Sequence, residues 1–312
     1  MPLQTQYRPR RFQDVVGNKE VVKALRTMLD AEEHNHCILL TGDSGCGKTT
    51  LARICATKLK AYDPESDRNP NFREFNASDF KGIDMVRSVR ADSSKAPLGG
   101  GNRVYFFDEC HKLTGDAQEA FLKILEEASG PNYYIFATTN PEALKVTLKR
   151  RCAQFALQPI SDDELFDMLV EVCETASISA DDEVLDAIVA DSTGSPGVAL
   201  GILDAVKGLS GREMLAAAKQ QAALQNEVIA LCRALADTRS NWKKVSEILR
   251  GLQGQDPESI RRKVIGYCSG WLLKQSNIRA FEIMDCFMTP TYNEGFARIV
   301  HSCYMVIASN GK

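Results

Sequence analysis

Three short stretches of this chain hold the residue types that phosphate chemistry needs. Gly42-Asp43-Ser44-Gly45-Cys46-Gly47-Lys48-Thr49 meets the pattern G-x-x-x-x-G-K-[ST] at every position. Glycines at this spacing let backbone N–H groups curve around phosphate oxygens at the positive end of a helix. Lys48 can then reach the β- and γ-phosphates of a nucleotide. The Thr49 hydroxyl can ligate Mg²⁺, with Thr50 beside it. In the second stretch, Val104-Tyr105-Phe106-Phe107-Asp108-Glu109-Cys110-His111, an apolar run ends in two acids. Asp108 is suited to hold Mg²⁺, and Glu109 to orient and polarise an attacking water. In the third, Tyr134-Ile135-Phe136-Ala137 runs into Thr138-Thr139-Asn140, where a polar side chain can hold the lytic water or the terminal phosphate. Standing alone, that segment would read as a strand-end turn. Cys110 and His111 have no further ligand at metal spacing and are assigned to local packing. ATP and Mg²⁺ are the expected ligands.

These groups converge only if strands and helices alternate, and the hydrophobic pattern says that they do. The runs at 37–42, 72–78, 103–109 and 132–139 read as buried strands. Helical patterns at 18–30, 48–60, 82–91 and 115–128 lie between them. Such alternation predicts a parallel sheet with helices on both faces. A further stretch, LKRRCAQF (148–155), sets three basic residues beside a cysteine, just before a strand-like apolar run. From 157 onward only helices are expected. Ser161 and Glu164 form a capping box, and helical patterns follow at 180–192 and 195–206. Residues 208–213 look like a hinge, and Asp256-Pro257 like a helix start.

The bulk composition excludes some classes. At 312 residues the chain can build two or three domains with real cores. Its formal net charge is −3, so any nucleic-acid contact must come from a local patch. No apolar run approaches the roughly 18 residues of a membrane span. The start, MPLQTQYRPRR, lacks the apolar core of a secretory signal. Ten cysteines without a C-x-x-C pair argue against a zinc module and a disulfide framework, and for a reducing compartment.

With the three strands in this order, the chain resembles the AAA+ ATPases, and its finer motifs resemble the clamp-loader branch. That branch includes the replication factor C small subunits and the bacterial DNA polymerase III tau-gamma family. Tyr7-Arg8-Pro9, with Phe12, Asp14, Val15, Val16 and Gly17, resembles the family's N-terminal box, which implies an adenine pocket. Asn76-Ala77-Ser78-Asp79 and Lys81-Gly82-Ile83-Asp84 resemble the archaeal/eukaryotic small subunits. Asp108-Glu109-Cys110-His111 resembles a family form of the Walker B box. Asp116-Ala117-Gln118-Glu119-Ala120 resembles the helix that couples neighbouring subunits. Phe136-Ala137-Thr138-Thr139-Asn140-Pro141 looks more bacterial, with Thr139 at the sensor 1 position. Arg150-Arg151-Cys152 is similar to the family's Ser-Arg-Cys signature. The resemblance implies that Arg151 is an arginine finger reaching the γ-phosphate held by the next subunit. Arg150 replaces the serine. Gly197 stands where active members carry the sensor 2 arginine, as in the bacterial delta-prime stator, although that stator lacks a working phosphate loop.

The implied fold is an α/β AAA+ P-loop domain with a parallel sheet (1–156), a small helical lid (157–208) and an all-α collar for oligomerisation (209–312). The implied partners are a sliding clamp, primer–template DNA and other loader subunits, identical copies plus at least one different chain, with no membrane. Lys81, Arg87 and Lys112 are the candidate DNA contacts, against the plainer reading of solvated charge. Met85, Val86, Val89 and the loop 93–101 are candidates for clamp contact or for helix packing. The implied function is an ATP-hydrolysing subunit that opens the clamp and places it on DNA during replication. Two alternatives stand beside it: a hydrolysis-poor stator of the same assembly, which Gly197 favours, and another DNA-remodelling AAA+ enzyme such as a branch-migration motor. The expected location is cytoplasmic: host cytoplasm for a viral member, nucleus for a eukaryotic one. The mixed bacterial and archaeal/eukaryotic features leave a viral source open.

Overall fold

The computed structural model describes residues 1–312 except 67, 78–81, 129, 226, 275–276, 292–293 and 310–312. The chain divides into two compact units, Met1–Met168 with Gly194–Gly197, and Leu169–Thr193 with Val198–Lys312.

The first unit is built on five parallel strands: β1 (Cys37–Thr41), β2 (Phe72–Asn76), β3 (Arg103–Asp108), β4 (Asn132–Thr138) and β5 (Ala153–Ala156). They lie in the order β2-β3-β4-β1-β5. β5 is the strand-like run that follows Arg150-Arg151-Cys152. Successive side chains of a strand point to opposite faces, so a run that is apolar throughout needs cover on both. That is what forms here. Leu39, Tyr105, Phe107, Tyr134 and Phe136 pack with helices Ile83–Ser93 and Gly115–Glu126. Ile38, Leu40, Val104, Phe106 and Ile135 pack with helices Lys19–Asp30 and Lys48–Lys58. Phe107 lies between Phe136, stacked at 5.0 Å, and Phe121, edge-on at 4.9 Å. All five strands point the same way, so their C-terminal ends share one edge of the sheet, where ligands of open α/β sheets bind.

The second unit is entirely helical among its described residues. The segment 208–213, read as a hinge, lies inside it, and residues 211–213 already belong to helix Gly211–Gln225. Helices Glu227–Ala236, Trp242–Gly251, Pro257–Lys274, Ile278–Phe287 and Phe296–Ala308 close around Leu231, Val245, Val264, Ile283 and Ile299. Pro257 opens its helix as expected, since the first turn has no need of its missing N–H. One buried carboxylate organises this unit. Glu258 accepts from Arg261 at 2.6 and 2.9 Å, and from the Thr291 backbone N–H and hydroxyl at 3.1 and 3.0 Å. The Arg261 hydrogen bonds outweigh the burial penalty and hold its pKa down at about 2. Arg261 is therefore committed to the interior, not offered as surface charge.

Candidate active site

The phosphate loop joins β1 to helix Lys48–Lys58. Gly42, Gly45 and Gly47 sit at φ of +144°, +82° and +92°. At two of these positions a side chain has no room as well as the wrong backbone. A Cβ on Gly42 would lie 2.5 Å from the Leu157 carbonyl oxygen, and one on Gly45 would lie 2.0 Å from Ser195 Oγ. The loop thus runs closely between Leu157, just after β5, and Ser195.

Lys48 is 6% exposed, and its ammonium donates to the carbonyls of Gly42 and Asp43, both at 2.8 Å. Burial lowers its pKa, with Cys46, Glu109, Asp108 and Asp43 acting in the opposite direction. Among the described residues no carboxylate pairs with it directly. A buried cation resting on two neutral carbonyls fits an anionic partner arriving inside the loop. The Thr49 hydroxyl donates to Asp108 Oδ2 at 2.9 Å, across 59 residues of sequence. β3 ends at Asp108, and this pair supplies the hard oxygen donors that Mg²⁺ prefers. Thr50 follows on the same helix, half-buried.

Glu109 occupies the left-handed region at φ 51°, a conformation that costs energy in a non-glycine residue. Its N–H donates to Asp108 Oδ1 at 2.9 Å. Its Oε2 lies 3.5 Å from the Thr139 hydroxyl and 3.3 Å from His111 Nδ1. β4 ends at Thr138, which is fully buried; its Oγ1 lies 3.0 Å from His111 Nδ1 and accepts the Asn140 N–H at 3.0 Å. Lys48, Thr49, Asp108, Glu109 and Thr139 are thus gathered at one end of the sheet, with Asn140 at its rim. His111 corrects the sequence reading: Cys110 is core, but the imidazole belongs to this cluster. A histidine two residues after an acid carried no signal of that, because the three-residue turn 110–112 is what folds it back.

The arginines lie on helix Val146–Arg151, just before β5. Arg151 donates to the Thr147 carbonyl at 3.1 Å and is ion-paired with Glu126, on the helix that packs beside it. Its own carbonyl accepts from Asn35 at 3.2 Å. Arg150 is exposed and carries no such pair among the described residues. Buried Gln118 joins the two helices: its amide donates to the carbonyls of Leu113 and Ala143 at 3.2 and 3.4 Å and accepts the Lys145 N–H at 2.8 Å.

The remaining expectations scatter. Tyr7, Arg8, Pro9, Val15 and Val16 are half-buried in the N-terminal segment, and Val15 packs against the core on the phosphate-loop face. Burial lowers the Arg8 pKa, as does neighbouring Arg53. Gln4, beside this box, donates to the Gly197 carbonyl at 2.6 Å. Ser44 is exposed and Cys46 buried. Arg87 is exposed and paired with Asp84 at 2.9 Å; Lys112 is exposed on a different element; Lys81 lies outside the described residues. Met85, Val86 and Val89 are core residues, so packing and not clamp contact accounts for them. In the loop 93–101, Leu98 is 70% exposed, while its backbone is gripped on both sides by buried Asn71 at 2.9 Å.

A family model described as "DNA polymerase III, delta subunit" matches residues 17–161. The chain is 32% identical over 221 residues to the DNA polymerase III subunit gamma/tau of Mycobacterium tuberculosis, covering 65% of this chain and 38% of that one. It is 34% identical over 200 residues to the replication factor C small subunit of Halobacterium salinarum, covering 64% and 61%. With DNA polymerase III subunit tau of Bacillus subtilis the identity is 28% over 290 residues, covering 86% and 51%. The chain therefore spans less than two thirds of the length of each of these relatives. Among solved structures, the RuvB Holliday junction branch migration motor of Thermotoga maritima superposes with a TM-score of 0.53 at 19% identity, covering 83% of this chain and 78% of that one. A likeness at that identity is one of fold. Among the described residues no helix is long and apolar enough to cross a membrane.

Proposed function

We propose that this chain, a member of the AAA+ clamp-loader family, is an ATP-hydrolysing subunit of an assembly that opens a sliding clamp and places it on primer–template DNA. One observation carries the catalytic half of this reading: the ends of β1, β3 and β4 bring Lys48, Thr49, Asp108, Glu109 and Thr139 together around a buried ammonium that rests on two backbone carbonyls. The relatives, themselves replicative subunits, support the assembly.

In this reading Lys48 leaves its two carbonyls for the β- and γ-phosphates of ATP. Thr49 and Asp108 would hold Mg²⁺, which when bound neutralises charge on those phosphates. Glu109 orients and polarises the attacking water. Thr139, with Asn140 beside it, positions the water or the terminal phosphate. Tyr7, Arg8, Pro9, Val15 and Val16 border the base. Arg151 leaves Glu126 to reach the γ-phosphate on the next copy, where such a group stabilises the charge of the transferring phosphoryl. Residues 157–208 form the lid and 209–312 the collar, and the ring contains identical copies with at least one different chain. Arg87, Lys112 and Lys81 would meet DNA phosphates, and the work takes place in a cytoplasm-like compartment.

The stator reading draws on Gly197. No side chain stands there, and a Cβ would meet only Ser195 Oγ, at 4.0 Å. The intact phosphate loop favours turnover. ATP hydrolysis measured with and without cognate clamp and primer–template DNA decides between them. Stimulation that requires both supports the loader, and binding without turnover supports the stator. Strand movement on a branched junction without a clamp would support a branch-migration motor. Mixing Glu109→Gln subunits with Arg151→Ala subunits tests the shared site: activity that tracks each chain separately overturns the trans arginine.

A further inference from the structure

We infer that His111 is a positioning residue for Glu109, tying its carboxylate to the end of β4. The inference rests on the reading of Glu109 as the group that activates water. Its ground is geometric. His111 Nδ1 lies 3.0 Å from Thr138 Oγ1 and 3.3 Å from Glu109 Oε2, so one ring nitrogen faces both the strand end and the carboxylate. A bare Nδ1 lone pair would repel the carboxylate at that distance. The tautomer that fits is Nδ1–H, shared between the two oxygens. Thr138 is itself fixed: it is fully buried, accepts the Asn140 N–H at 3.0 Å and pairs in register with Thr41, the last residue before the phosphate loop.

Glu109 needs such a restraint more than an ordinary strand-end acid. Its backbone is left-handed, its N–H is spent on Asp108, and the Thr139 hydroxyl, at 3.5 Å, is a long contact. Without His111 the carboxylate keeps its place in the chain but loses the group that selects its rotamer. Catalysis tolerates little misplacement of a reacting group. Thr138, Thr139 and Asn140 are consecutive, so a shift of the β4 end on phosphate binding moves both contacts of the carboxylate at once.

The test uses the assembled complex with clamp and primer–template DNA for turnover, and the isolated chain, with its four histidines labelled, for imidazole ¹⁵N spectra. His111→Ala is expected to lower kcat at least about tenfold with nucleotide affinity unchanged. His111→Asn, whose amide nitrogen can stand where Nδ1 stands, is expected to recover most of it. In the spectra, His111 should carry its proton on Nδ1, and that signal should move in Glu109→Gln. The inference is overturned by unchanged kcat in His111→Ala, by parallel loss of kcat and affinity without recovery in His111→Asn, or by a bare Nδ1 indifferent to Glu109→Gln. Wild-type complex that turns over no ATP would instead defeat the reading of Glu109. The spectra would still decide whether the two side chains are linked.

Discussion

The phosphate-loop half of the site and the arginine helix are built on opposite terms, although both belong to one compact unit. Lys48, Thr49 and Asp108 are already held together: the lysine is buried, the threonine is bonded to the aspartate, and the loop passes so close to its neighbours that no side chain fits at Gly42 or Gly45. Arg151 is 30% exposed and held by a surface carboxylate and one turn of its own helix, while Arg150 beside it is exposed and carries no ion pair among the described residues. Exposed ion pairs contribute about 0–1 kcal/mol, so the pair with Glu126 is a weak hold on Arg151. A half that acts within its own chain can be preorganised by the core. In the proposed reading the arginine half reaches another chain, and such a group has to stay on the surface with a partner it can give up.

The largest expected effect tests that division. Arg151→Ala should lower stimulated turnover by at least about 10³-fold with nucleotide affinity unchanged, whereas Arg150→Ala should stay within about threefold. Steady-state ATPase rates beside fluorescent-nucleotide titrations measure both. A reversal of the two would make Arg150 the finger. Next, Asp108→Asn should cost about 10²-fold in turnover and weaken the Mg²⁺ dependence of nucleotide binding, since it acts on the preassembled half.

A third effect concerns stability in the helical unit. Glu258→Gln should destabilise the protein by about 1.5–3 kcal/mol at neutral pH, read from denaturant midpoints. The sign of its pH dependence follows from the depressed pKa. The stabilisation is complete above the ordinary value of 4.5 and is lost as pH falls through about 2, so wild type and variant should converge across that window. The smallest effect is expected of Glu126→Gln: a stability change under about 1 kcal/mol, with turnover unchanged or slightly raised as Arg151 is released. A large loss of turnover there would show that Glu126 places the arginine instead of merely parking it.

Much of the buried half was readable in advance because its chemistry is local. A glycine-rich turn, a lysine and a threonine at fixed spacing can be recognised without knowing what packs against them. The same local logic left other readings open or missed them. Met85, Val86 and Val89 lie on one face of a helix, and that spacing is the same whether the face meets solvent, a partner or the sheet. Only Phe107 and Phe136 on the far side decide it. His111 was read as packing because its partners, Thr138 and Glu109, come from the end of another strand and from a left-handed turn. Nothing local to Arg261 shows that it meets buried Glu258 and the carbonyl of Phe287, the last residue of a neighbouring helix.

By itself, then, the sequence determined the strand–helix alternation, the parallel sheet, the phosphate loop, the acids at a strand end and the place of the two arginines. Periodicity and spacing are properties of the chain, and burial of both sheet faces needs no more than continuous apolar runs. Only the tertiary structure decided the order β2-β3-β4-β1-β5, which sets Thr49 against Asp108. It alone placed Ser195 against Gly45 and His111 between Glu109 and Thr138, and set a tethered Arg151 beside an exposed Arg150. Hydrogen bonds and ion pairs act over a few ångströms, and which residues come that close is settled by how the layers pack, not by their distance along the chain.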